Sequence, residues 1–163
     1  MISMIPHLAL VMLLAAEGAA PPNDWKPFHA FIGSWTGTRQ GPTGTEKLTR
    51  DYESVARNQH LLVSDRVGSK QAPWGMVSID PVRDRIVLRR FAPDGSATEL
   101  LLSEVSNDGA TLVFDTPPEQ AGAAAERITH ERHGWQEYVE RVEVRANGSP
   151  FEVVSETHFK RKR

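Results

Sequence analysis

Five residues stand out for the chemistry their types and spacing allow: Arg50, Tyr52, Arg66, Arg90 and His130. Residues two apart on a β-strand share a face. Arg50 and Tyr52 then lie with Leu48, Arg66 with Leu62 and Ser64, Arg90 with Ile86 and Leu88, and His130 with Ile128 and Arg132. Arg and Tyr side chains turned inward supply the charge-assisted hydrogen bonds that a carboxylate needs when it leaves water. The five are therefore the candidate ligand-binding residues of an interior pocket. The competing reading is a loosely alternating exterior, where the same side chains simply meet solvent.

Other chemistry finds less support. His130 and His133 flank Glu131-Arg132, but on a strand they have opposite parity and point to opposite sides, so they do not share a metal. The chain has no cysteine, which excludes disulfides, thiolate metal sites and a cysteine nucleophile. No Gly-x-Ser-x-Gly elbow, His-Glu-x-x-His, phosphate loop or dinucleotide fingerprint occurs, so no catalytic residue is assigned. The many carboxylates sit in mixed-charge strands of the kind that face water. With 19 Lys+Arg against 21 Asp+Glu, the formal net charge of -2 provides no basic field for nucleic acid. The terminal Lys160-Arg161-Lys162-Arg163 cluster reads as solvated charge at a chain end.

The elements that position these residues are short β-favouring runs bounded by turn chemistry. They cover 34–40, 46–56, 60–67, 75–80, 85–91, 97–105, 111–115, 127–132, 135–145 and 151–160. Between them stand Gly41-Pro42-Thr43-Gly44, Asp80-Pro81, Pro93-Asp94-Gly95, Asn107-Asp108-Gly109, His133-Gly134 and Ala146-Asn147-Gly148. Strands joined this tightly are antiparallel. A meander of about ten strands removes its exposed edges by closing, which predicts an all-β, single-domain, up-and-down barrel over 27–163. Just ahead of it, Phe28, Phe31 and Ile32 are spaced for one side of a short helical turn that Gly33 stops.

At the front, 5–16 is an apolar run too short to span a bilayer, followed by Ala16-Glu17-Gly18-Ala19. This pattern predicts a signal peptide over 1–18, a linker over 19–26, and a secreted or periplasmic protein with no stable membrane insertion after cleavage.

The short helix leading into Gly33-Ser34-Trp35-Thr36-Gly37 at the first strand resembles the entrance of the calycin superfamily, which holds lipocalins, fatty-acid-binding proteins and nitrobindin-like barrels. Ser78-Ile79-Asp80-Pro81 and the Phe91-Ala92-Pro93-Asp94-Gly95 hairpin extend the likeness, which is nearest to secreted lipocalin-like bacterial domains. The resemblance implies a helix plugging one barrel end. It also implies Trp35 at that base beneath a cation from the last strand, here Arg161. From the nitrobindin side comes haem as an alternative cofactor with His158 as its axial ligand. Parity speaks against that, since His158 shares a face with Glu152, Glu156 and Lys160.

The leading functional expectation is a binding protein for a small hydrophobic or amphipathic molecule held in the barrel, needing no cofactor. The alternatives are the haem barrel and a ligand-free interaction module.

Overall fold

The computed structural model describes residues 25–163 apart from 107, 119, 121–123 and 147. The expected signal peptide, residues 19–24 of the linker, and the turn residues Asn107 and Asn147 lie outside the described residues. A short helix, α1 (Lys26–His29), begins with Pro27 in its first turn, where a missing N–H costs nothing. Ten strands follow: β1 (Gly33–Gly41), β2 (Gly44–Val55), β3 (His60–Val67), β4 (Lys70–Asp80), β5 (Arg85–Phe91), β6 (Ala97–Val105), β7 (Thr111–Asp115), β8 (Ala124–His133), β9 (Glu137–Ala146) and β10 (Glu152–Arg161). Each pairs antiparallel with the next, and β1 pairs with β10, so the meander closes into a barrel. Closure leaves no unpaired sheet edge.

Several strand ends differ from the sequence expectation, among them those of β4, β8, which starts at Ala124, and β9. β4 starts five residues early, at Lys70, and contains Pro73. The pairing of β3 with β4 shifts between Ser64 and Arg66, and that irregularity is where a residue without an N–H fits in a closed sheet. β9 starts late, at Glu137, because Trp135 stays in the exposed turn after β8.

The end of the barrel where β1 begins is sealed by the segment carrying α1. Phe28 and Phe31 are buried there among the core aromatics. Trp35 is completely buried, and its indole N–H donates to the Phe31 carbonyl at 2.7 Å. Arg161 lies across it in β1–β10 register, its guanidinium carbon 4.3 Å from the Trp35 ring centre. The same guanidinium donates to the carbonyls of Ala30 at 2.6 Å, Ile32 at 2.8 Å and Trp135 at 3.0 Å. Arg161 thus supplies the donors that the carbonyls after the helix lack, while its face rests on the indole. Gly33 lets the chain pass beneath it: its φ is +124°, and a Cβ there would stand 2.9 Å from Arg161 Nη1.

One step further along β1, Gly37 leaves room for Phe159 from β10, which stacks on Tyr138 at 4.6 Å between ring centres. A Cβ at Gly37 would lie 2.7 Å from Phe159 Cε1 and 3.0 Å from Thr157 Cγ2. Gly37→Ala therefore overpacks the barrel wall and is expected to lower stability by about 1–3 kcal/mol, read as a fall in the urea midpoint at unchanged slope.

Candidate functional site

The interior faces of neighbouring strands bring six polar side chains together. Leu48, Arg50 and Tyr52 are the buried residues of β2, and β3–β2 pairing sets Asp65 directly opposite Arg50. On the other side of the barrel, β8–β9 pairing sets His130 opposite Glu140 and Arg132 opposite Tyr138. On β1, Gly37 pairs with Leu48 of β2 on one side and Phe159 of β10 on the other, and Arg50 lies over the Phe159 ring at 4.6 Å.

Arg50 forms the centre of the cluster. Its Nε donates to Asp65 Oδ1 at 2.6 Å and its Nη2 to Asp65 Oδ2 at 2.7 Å, a two-pronged pair. Its Nη1 donates to Glu140 Oε2, and Nη2 also meets Glu140 Oε1 at 3.1 Å. Longer contacts from Nη1 reach the hydroxyls of Tyr52 at 3.4 Å and Tyr138 at 3.5 Å, and those hydroxyls lie 3.1 Å apart. Nε2 of His130 is 2.9 Å from Glu140 Oε2. Burial pushes the Glu140 carboxyl up, but the Arg50 charge and the His130 hydrogen bond outweigh it and hold Glu140 well below the usual carboxylate range. Burial raises both tyrosine hydroxyls, Tyr138 more than Tyr52, so both are neutral phenols at physiological pH.

Above this polar floor is a cavity of about 210 Å³. Its walls are apolar, with Val63, Val77, Leu88, Ile128 and Val142 among them. Strand directions place its mouth at the end away from α1, where Arg39, Trp74 and Arg90 stand. Trp74 is half-exposed and stacks on Phe91 at 4.2 Å. Arg90 is tied to Glu126 at 2.5 Å, and Arg39 approaches Asp65 at 3.7 Å and Glu46 at 3.5 Å.

Of the five candidate binding residues, Arg50, Tyr52, Arg90 and His130 line this cavity. Arg66 does not: it is exposed on the outer face and donates to Asp51 at 2.5 Å. The inward set of β3 is Leu61, Val63 and Asp65, and the two-residue period that groups Arg66 with Leu62 and Ser64 puts that whole group outside. The expectation that Arg50 is free to receive a ligand carboxylate is also corrected, because all three of its nitrogens already bond to carboxylates. Sequence reasoning missed Asp65, Tyr138 and Glu140. Asp65 carried a signal, since it shares parity with Leu61, Val63 and Val67.

The residues do not fit the haem alternative. His158 is exposed on the outer face with its Nε2 2.8 Å from Glu156 Oε1, and the Nε2 of interior His130 is engaged by Glu140. The cavity is also below the roughly 300–1,000 Å³ of pockets that take drug-sized ligands. Among the described residues, no group of three His, Asp or Glu side chains is placed to hold a metal ion.

Ten antiparallel strands closed in sequence order, with a short helix at one end, define an all-β up-and-down barrel. The chain is similar in structure to Rv2717c from M. tuberculosis, with a TM-score of 0.60 and 17% identity over 88% of this chain and 99% of that one. It is also similar to the S-type phycobiliprotein lyase CPES from Guillardia theta, with a TM-score of 0.53 and 12% identity over 85% of this chain and 92% of that one. No protein-family model and no curated protein sequence matches the chain.

Replacing Arg50 separates the cluster's charge balance from its packing. Arg50→Leu strands buried carboxylates and is expected to cost about 3–5 kcal/mol near neutral pH. The pH dependence follows from Glu140. With its folded pKa below the unfolded value of about 4.3, its contribution is present above that value and is lost as pH falls through the folded one. Without Arg50, burial dominates, the folded pKa rises above the unfolded value, and stability is lost as pH rises. Thermal melts of Arg50→Leu should therefore gain in midpoint between about pH 7 and about pH 5, a window in which Glu140 adds no slope to the parent protein.

Proposed function

We propose that this protein binds a small, mostly apolar molecule in the barrel cavity. The observation that supports this most directly is an interior space whose polar floor is already satisfied internally while its walls are Val, Leu and Ile. A satisfied floor does not draw in charge, and apolar walls stabilise a ligand by roughly 25 cal/mol per Å² of its surface removed from water. The cavity volume suits a one- or two-ring molecule. Arg39, Trp74 and Arg90 at the mouth would meet its outward end, with Trp74 offering a stacking face. That this fold recurs in a protein named as a phycobiliprotein lyase is compatible with an interior used for small molecules.

We further propose that residues 1–18 direct export and are removed, leaving a secreted or periplasmic barrel. The intact mass of protein recovered from the periplasm or medium of the expressing host should correspond to a chain beginning at Ala19; a full-length mass confined to the cytoplasm would refute this.

Titration with the neutral, environment-sensitive two-ring naphthalene dye prodan, followed by dye emission and by quenching of tryptophan, tests the binding proposal. Saturable binding at one site is expected, and Val63→Trp, which fills the cavity from β3, should weaken it by about a hundredfold or abolish it while the β-sheet circular dichroism is kept. Binding that survives Val63→Trp unchanged would place the dye elsewhere and remove the proposal's support.

A further inference from the structure

The chemistry left free inside the cavity narrows the ligand class, and this step rests on the binding function proposed above. The arginines lining the cavity already have carboxylate partners. Arg50 is held by Asp65 and Glu140, Arg90 by Glu126, and Arg39 lies near Asp65 and Glu46. Counting these interior charges, a ligand carboxylate would find no unmatched partner and would have to break an existing pair.

His130 is different. Glu140 is held ionised by Arg50 and so only accepts hydrogen bonds, which obliges His130 Nε2 to be the donor in their 2.9 Å contact. In the neutral imidazole this leaves Nδ1 without hydrogen, as a bare acceptor. Nδ1 has no hydrogen-bond partner among the described residues. Nor is it sealed away, for the buried side-chain polar atoms without a partner are Nδ1 of His60 and Nε of Arg132. The ring itself is wedged between Phe31 at 5.6 Å, Tyr138 at 5.8 Å and Phe114 at 6.0 Å, so its orientation is fixed by packing as well as by Glu140. His130 is in the cavity lining.

We infer that the cavity selects a neutral aromatic or alicyclic molecule carrying one hydrogen-bond donor, a hydroxyl or ring N–H, which it gives to Nδ1 of His130. Glu140 is the positioning residue that fixes the tautomer, and Arg50 keeps Glu140 in its accepting form. The apolar walls hold the body of the ligand, and His130 sets which end goes in first.

Three matched probes test this: 2-naphthol, which has the donor; 2-methoxynaphthalene, which has the same ring system without it; and 2-naphthoate, which is an anion. Affinities are measured by isothermal titration, all three probes at one fixed pH. The expected order is 2-naphthol about tenfold tighter than 2-methoxynaphthalene, with 2-naphthoate the weakest. In His130→Phe the first two should become equal within error while both still bind, and His130→Gln, whose amide oxygen also accepts, should restore part of the preference. The parent-protein comparison depends on no variant folding. Equal affinities for the two neutral probes in the parent protein would overturn the inference and leave the binding function standing. Tightest binding of 2-naphthoate would overturn it in favour of ion pairing with Arg39 or Arg90. If none of the three binds, the inference fails together with the binding proposal.

Discussion

The polar floor of this barrel depends on one guanidinium. Arg50 enters from β2, is gripped along one edge by Asp65 from β3, and reaches Glu140 on β9 with the other. A lone arginine or a lone carboxylate in this interior would be strongly unfavourable, because little water remains to solvate it. Together they form a compensated unit with a flat π-face resting on Phe159. The consequence is a division of labour within one small cavity. The carboxylates and Arg50 satisfy one another, and the atoms left over, Nδ1 of His130 among them, are neutral ones.

The two halves of the barrel interior solve different problems. Towards the helix, aromatic rings fill the space: Phe31, Trp35, Tyr52, Tyr138 and Phe159 touch in a continuous set. Above the Arg50 cluster the walls are Val63, Val77 and Val142, and Gly75 and Ser155 contribute almost no volume. The taper from large to small residues along the barrel axis makes one end a plug and the other a pocket, with the Arg50 cluster as the boundary.

The fold was largely legible because its signals are local. Turn residues such as Gly41-Pro42-Thr43-Gly44 and His133-Gly134 mark the reversals, and a run of reversals with no long connection leaves a meander. Gly33-Ser34-Trp35 announced the plugged base for the same reason, and Arg161 was found through resemblance, not through spacing. The site was legible only in part. Arg50, Tyr52 and His130 showed themselves as polar residues in register with Leu48 and Ile128, but their partners did not. Glu140 is followed by Arg141 and two residues later by Glu143, and looks like a solvated strand until pairing places it beside His130 and across from a residue ninety positions earlier. Adjacent Asp65 and Arg66 posed a further ambiguity. A two-residue period tells which residues travel together and not which group goes inside, and only the apolar company of Leu61, Val63 and Val67 tips the balance to Asp65.

The clamp at the plugged end has a consequence for how the chain acquires its structure. Arg161 bonds to carbonyls 129 and 131 residues earlier, and β10 is the strand that joins β1 to the rest of the sheet. Until β10 is available, β1 has only one neighbour and the carbonyls after the helix lack their donors. Such a long loop closure makes the last step of folding slow and dependent on the final strand. A nascent chain in which β10 is not yet available can therefore hold an open, curling sheet but no sealed compartment. The interior comes into being in one event, when β10 docks between β9 and β1.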